Sequence, residues 1–254
     1  MLNYWTIQIR CEKDIEGYNL ANAKRIHGFL FETISKYNKE LASFHHDKQK
    51  KQSFSISTIF NLNDRRLKTF KKNTSLKFYI SIYDDKISEF LFEFFKRNRI
   101  IPLFDKELIV ENISYKSIDK LYLENNKLKK AKLIFISPTT FRINSINYPL
   151  PEPKRIFKSL NGSYKEIFNE ELLNENDLEK INANVLLKNV DINTEYVEYD
   201  KFKVFGFIGN VILEIKFDDK ILQEKSEILL ALAEFVGLGY KTGMGMGKCL
   251  IQKV

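Results

Sequence analysis

A strand, a helix, two strands, a helix and a strand can be read in that order twice along the 254 residues, and a doubled order of this kind leaves few folds open. Residues 4–10 alternate as a strand, and residues 21–39 carry Ala23, Ile26, Leu30 and Ile34 at helical spacing. Residues 54–62 and 76–83 are β-branched and aromatic, and the basic, Asn-containing stretch between them suits a hairpin loop. Residues 87–97 read as a helix with acid before it and base at its end, 107–113 as a strand, and 114–123 as an extension of that sheet. Residues 124–130 are polar, charged and aperiodic, which makes them the expected linker and puts a boundary near 125. A strand at 132–136 restarts the pattern. Helices are expected at 151–168, 176–187 and 226–235, and a last strand at 248–253. Residues 201–208 and 210–217 are strand-like and meet at Gly209; one residue is too short for a hairpin loop, so a single bulged strand is the other reading. The expectation is an α+β chain of two tandem ferredoxin-like, RRM-like domains, 1–125 and 126–254, each with two helices on one face of a four-stranded antiparallel sheet.

Forty-one Lys and Arg against 33 Asp and Glu give a formal charge of +8, the profile of a polyanion binder. The excess concentrates at Lys48, Lys50 and Lys51, at Arg65, Arg66, Lys68, Lys71 and Lys72, at 127–132 and at 154–158, although Lys-rich, Asn-rich and Ile-rich composition also follows from a low-GC genome and such runs are ordinarily solvated faces. Cys11 and Cys249 are too few and too far apart in sequence for a disulfide framework or a zinc site. Neither metal nor cofactor is expected. No apolar run approaches membrane-spanning length and the first residues are polar and aromatic, so a soluble cytoplasmic protein with no membrane partner is expected.

Five of the ten glycines fall at Gly237, Gly239, Gly243, Gly245 and Gly247. Glycine costs backbone entropy, so such density makes sense where φ must be positive or where another backbone comes close. Successive amides in such a turn form anion nests, and Lys241 and Lys248 would add charge beside them. Two familiar phosphate motifs do not fit. A dinucleotide-binding GxGxxG follows a strand and opens a helix, whereas this loop follows a helix and enters a strand. A P-loop needs Ser or Thr after its lysine, and here that residue is Cys249.

The segment GLGYKTGMGMGKC at 237–249, ISPTTF at 136–141 and GFIG at 206–209, in that order along the chain, resemble the motifs of the sixth CRISPR-associated family. These are the precursor-crRNA processing endoribonucleases of the repeat-associated RNA-binding (RAMP) superfamily. The resemblance covers most of the C-terminal half by motif and the N-terminal half by layout. It implies metal-independent cleavage of a CRISPR repeat RNA on the 3′ side of its stem-loop, leaving a 2′,3′-cyclic phosphate and a 5′-hydroxyl. A CRISPR effector complex and a second copy of the chain are further partners compatible with it. The alternative is a non-catalytic RNA-binding subunit of an effector complex.

Cleavage by the RNA's own 2′-hydroxyl needs a base, an acid for the 5′-oxygen, and cations for the developing phosphorane. Histidine titrates near neutrality, and the chain has His27, His45 and His46. His45 and His46 follow the first helix and precede a basic loop, and the resemblance places the catalytic histidine at this junction, followed by an acidic residue such as Asp47. His46 is therefore the first choice and His45 the second. Lys50 and Lys51, with Lys48, are candidates for stabilising the phosphorane. His27, inside the helix, reads as a packed or surface side chain. The resemblance also implies a tyrosine on this helix, and its position is held by Phe31, which cannot move a proton; His27, His45 or Tyr37 would have to stand in. RNA contacts are expected from Gly237, Gly239, Lys241, Gly243, Gly245, Gly247 and Lys248. Arg65 and Arg66 would grip a stem with Phe70 stacking, and Lys154, Arg155 and Lys158 would hold phosphates at a helix start.

Overall fold

Strand β1 (Leu2–Cys11) runs antiparallel to β4 (Ser75–Ile82), with Ile7 opposite Phe78. Around this pair the computed structural model, which describes residues 1–15, 23–37, 53–199 and 202–254, builds its first sheet. Its order is β2 (Phe54–Ile56), β4, β1, β6 (Lys106–Ile118), β5 (Ile100–Leu103), with the two-residue β3 (Phe60–Asn61) also on β4. Strands β1 and β4 in the middle, flanked by β2 and β6, are the ferredoxin-like arrangement. Two amphipathic helices complete it. Helix α1 (Ala23–Tyr37) buries Ile26, Leu30 and Ile34, and α2 (Asp85–Arg97) buries Ile87, Phe90, Leu91 and Phe95. The start of α2 is fixed by Asp84, whose carboxylate accepts from the Lys86 and Ile87 amides, and Lys96 and Arg97 complement the dipole at its end.

The expected strand at 54–62 is broken into β2 and β3. The interruption is specific: the Ser57 hydroxyl accepts from the Tyr79 amide at 2.9 Å, and Ser57 forms an isolated parallel bridge with Gly245.

The second unit repeats the order with insertions. After α3 (Lys120–Asn125) come β7 (Lys130–Thr139), a small hairpin of β8 (Phe141–Ile143) and β9 (Ile146–Tyr148), helices α4 (Pro153–Phe168) and α5 (Glu175–Asn184), strands β10 (Val185–Tyr199) and β11 (Phe202–Ile215), helix α6 (Lys220–Val236) and β12 (Cys249–Lys253). Its sheet is ordered β10-β11-β7-β12, again ferredoxin-like. The two compact units are Met1–Ser117 with Gly243–Gly245, and Ile118–Thr242 with Met246–Val254. Residues 124–130, expected as a linker, lie inside the second unit.

Two expectations here need correction. The helix expected at 176–187 ends at Asn184, and residues 185–199 are instead a fifteen-residue strand. Most of β10 is exposed, so its sequence lacks the buried-and-polar alternation that announces a strand. Residues 202–215 are one strand with a register shift against β7 between Phe207 and Gly209, so the bulged reading is the one that holds. Gly209 has φ +124°, and a Cβ there would stand 2.2 Å from the Asp191 carbonyl oxygen.

One buried polar side chain organises the link from α4 to α5. Asn161 is 3% exposed; its oxygen accepts from the Leu172 and Leu173 amides at 3.1 and 3.0 Å, and its nitrogen donates to the Leu173 carbonyl at 2.8 Å. Asn161→Ala strands those buried backbone groups, and each costs about 1–3 kcal/mol when left unpaired. A loss of stability of about 3 kcal/mol in urea denaturation is expected, against an unchanged m-value.

Candidate functional site

The glycine loop is built by close backbone approach. Gly237, Gly239, Gly245 and Gly247 all have positive φ, between +72° and +88°. A Cβ on Gly239 would lie 2.2 Å from the Thr140 carbonyl oxygen, and one on Gly247 would lie 2.0 Å from that of Leu238. The amides follow the same logic. Gly237 donates to Ala233, Leu238 to Gly247, Tyr240 to Thr140 and Gly247 to Pro138, at 2.7–3.2 Å. The Gly239 amide donates to the Ser159 hydroxyl and that of Lys248 to the Ser137 hydroxyl. The expectation that Gly237, Gly239 and Gly247 cradle phosphate through their amides is therefore corrected: these amides already donate within the fold. The glycines are required because two backbones meet there.

Lys248 is corrected too. It is 5% exposed, and its ammonium donates at 2.6 Å to the Glu234 carbonyl near the end of α6, so its charge serves a helix terminus. Lys241 is placed differently. It adopts φ +62°, and its ammonium lies over the rings of Phe202 (4.5 Å), Tyr240 (5.0 Å) and Tyr199 (5.5 Å). Arg142 stands over the other partner in this group, 4.8 Å from the Tyr240 ring, and donates to its hydroxyl at 2.5 Å. Burial raises the pKa of the Tyr199 phenol and keeps it neutral beside the lysine. This basic, aromatic cluster was missed in the sequence because Tyr199 and Phe202 pair at the end of a hairpin whose first strand was not read as a strand: residues 185–187 were read as helix and 188–199 were assigned to no element.

The loop's tip belongs to the first unit. There Gly245, besides its bridge to Ser57, packs so closely on α1 that a Cβ would lie 2.1 Å from that of Ala23. One turn along α1 the His27 ring lies 4.6 Å from Phe31 and 5.7 Å from Phe54, and those two rings are 5.6 Å apart. His45, His46, Lys48, Lys50 and Lys51 lie outside the described residues.

The remaining basic candidates divide by their partners. Arg65 is exposed, with its amide held by the Asn61 side chain, and Arg66 is half-buried. Phe70 was expected to stack on RNA. It is fully buried in the first core and exchanges backbone hydrogen bonds with Ile15, so it cannot present its ring outward. Lys71 pairs with Asp14 at 2.9 Å. At the start of α4, Lys154 pairs with Glu179, Arg155 with Glu152 at 2.5 Å while lying over the Tyr148 ring, and Lys158 with Glu175 at 2.7 Å. The hydrogen bond from Lys158 lowers the Glu175 carboxyl pKa, and the one Lys154 donates to Glu179 raises the Lys154 pKa. Any phosphate at this helix start would compete with those carboxylates. Cys11 and Cys249 are free and buried, with burial pushing their pKa values up to about 11 and about 12. Among the described residues no group of His, Cys, Asp and Glu is arranged to hold a metal ion, and no helix is long and apolar enough to cross a membrane.

The family model "CRISPR-associated endoribonuclease Cas6" matches residues 133–249, the span from β7 to the start of β12. A Cas6 endoribonuclease of Streptococcus thermophilus is 23% identical over 232 residues, 89% of each chain. One from Mycobacterium tuberculosis is 24% identical over 133 residues, 52% of this chain and 42% of that one. Among solved structures, a Cas6 product complex superposes with a TM-score of 0.80 at 22% identity, covering 99% of this chain and 100% of that one. A Thermus thermophilus Cas6 gives 0.74 at 21% identity, covering 99% and 98%. An RAMP protein described as binding different RNA substrates gives 0.67 at 13% identity, covering 99% and 100%. These superpositions show that the fold of two ferredoxin-like domains is shared.

The crowding at Gly247 makes a sharp expectation. Gly247→Ala combines a left-handed φ with a carbonyl oxygen that cannot move away, and should cost about 3 kcal/mol or more by the usual scale for strained backbone and overpacking. The check is the midpoint of urea unfolding; a loss under about 1 kcal/mol would mean that the two backbones are not held together as described.

Proposed function

The kinship of this chain is with the CRISPR-associated Cas6 endoribonucleases, and from that premise we propose that it binds CRISPR repeat RNA and cuts precursor crRNA once within each repeat without a metal ion. The observation that carries this reading is the match over 133–249, because the three motifs it spans are physically one unit. Ser137 and Pro138 accept the Lys248 and Gly247 amides, Thr140 accepts that of Tyr240, and Gly206 lies so close that a Cβ would stand 2.8 Å from the Thr139 nitrogen.

The reaction class follows from RNA itself. The 2′-oxygen attacks the adjacent phosphorus, the O2′–P bond forms as the P–O5′ bond breaks, and the products are a 2′,3′-cyclic phosphate and a 5′-hydroxyl. One group takes the 2′-hydroxyl proton, another returns a proton to the 5′-oxygen, and cations stabilise the phosphorane. In our reading His46, or His45 beside it, is one of the proton-transfer groups, and Lys50 and Lys51 supply positive charge. Lys241, steadied by its three aromatic rings, together with Arg142 and the exposed Arg65, contacts the RNA backbone. Lys154, Arg155 and Lys158 join only if RNA displaces their carboxylate partners. An effector complex and a second copy of the chain are candidate partners, and the cytoplasm is the expected location.

The experiment is to incubate purified protein with the repeat RNA of its own genome and map both ends of the cut. His46→Ala should slow single-turnover cutting by about 10²–10⁴-fold while leaving repeat-RNA affinity nearly unchanged, since affinity rests on phosphate contacts. His45→Ala in parallel assigns the role, and excess EDTA should leave cutting intact. Full activity in the double variant removes this site from the reading. A wild-type protein that binds but never cuts would favour the second reading, a non-catalytic RNA-binding subunit.

A further inference from the structure

Strand β10 leaves one side of its backbone open. It has fifteen residues, and the sheet order β10-β11-β7-β12 puts it at an edge. Among the described residues no strand pairs with its outer side. A free row of amides and carbonyls is a template for another strand, and proteins ordinarily blunt it with short length, lysine or proline. From Asn189 to Val197, beyond the register shift at Leu187/Asn189, β10 has none of these, and its two charges are Asp191 and Glu195.

The side chains agree with the backbone. Residues directly opposed across an antiparallel pair share a face. Val190 is opposite the buried Val211 and Thr194 opposite the buried Phe207, so this side of β10 extends the face that forms the core of the second unit. The apolar surface continues outward without a cover: Val190 is 45% exposed, Ile192 half-buried, and Tyr196 54% exposed beside Phe205. An uncovered apolar row next to an unpaired edge marks a surface of association.

The sequence of the strand selects the occupant. Two copies related by a two-fold axis pair their strands antiparallel, and opposed residues must share a face, so one residue stands opposite its own counterpart. With Ile192 on the axis, Val190 is opposed to Thr194, Asp191 to Asn193 and Asn189 to Glu195, and Tyr196 reaches Val190 on the diagonal. No like charges meet in this register. An axis at Asp191 sets that carboxylate on itself, and one at Asn193 sets Asp191 on Glu195 twice. An axis at Thr194 puts Glu198 on Val190, and one at Val190 runs the pairing into the register shift. We propose that β10 pairs with β10 of a second copy of this chain, antiparallel and centred on Ile192, which joins two four-stranded sheets into one of eight strands. This inference concerns the second unit alone and does not depend on the endoribonuclease reading.

The test is sedimentation equilibrium of the full, nucleic-acid-free chain at micromolar concentration, where wild type should be a dimer. Asn193→Asp puts a carboxylate opposite Asp191 at two symmetric places and should weaken the dimer about tenfold, while Asn193→Lys should tighten it about as much. Asp191 and Asn193 are both exposed, so neither change threatens the fold. Register is read by cysteine. Ile192→Cys meets its own counterpart and should form a disulfide between copies under mild oxidation, whereas Thr194→Cys meets Val190 and should not; the native Cys11 and Cys249 are buried. A monomeric wild type overturns the proposal and leaves the edge to an extended segment of a different protein. A dimer indifferent to both Asn193 variants overturns it as well, and so does equal cross-linking of the two cysteine variants, since the copies then meet elsewhere or in another register.

Discussion

Four residues at the end of β7 hold the second unit's functional end together. Pro138 and Thr139 meet Gly206 of β11 on one side, and on the other the Pro138 and Thr140 carbonyls accept the Gly247 and Tyr240 amides while the Ser137 hydroxyl accepts that of Lys248. Ser137, Thr139 and Thr140 are fully buried, so every polar group there must find a partner within the protein or incur a desolvation penalty. Glycine at 206, 239 and 247 is the only residue that lets three segments come this close. The spacing of the motifs along the chain is therefore the trace of one buried junction.

This explains what was legible in the sequence and what was not. The repeated ferredoxin-like order was readable because β1, α1, α2 and most of β7 bury one regular face, while β4 and α6 are apolar runs buried over several successive residues, and burial writes its pattern into the residues. Strand β10 was not readable, since neither of its faces is covered along most of its length and Lys188, Asn189, Asp191 and Asn193 interrupt any alternation. The glycine cluster announced an unusual backbone, but it did not say whether close packing or ligand binding demanded it. The amide partners decide that for the flanks of the loop, where a donor count cannot be read from residue identity. Lys248 shows the same limit: a lysine after a glycine looks available until its ammonium is found under α6.

Charge tells a similar story. The excess of eight positive charges is partly neutralised in place, because Lys71, Lys154, Arg155 and Lys158 each face a carboxylate. Exposed pairs of this kind contribute little to stability and give way to a polyanion at low energetic cost. The aromatic setting of Lys241 is different in kind. Three rings restrict where that ammonium can go while leaving its charge intact, so it approaches a ligand from one direction and with less entropy to lose.

The membership of Gly243–Gly245 in the first unit has a consequence for how the chain is made. A ribosome emits the first 117 residues long before it reaches position 245, and until then Ser57 and Ala23 lack the neighbour that completes their surroundings. The surroundings of Ser57 and Ala23 are therefore completed only by a peptide made well after the rest of their unit. Completion of the early half thus waits on the synthesis of the glycine loop, and a chain interrupted before that loop leaves a first half with an open seam.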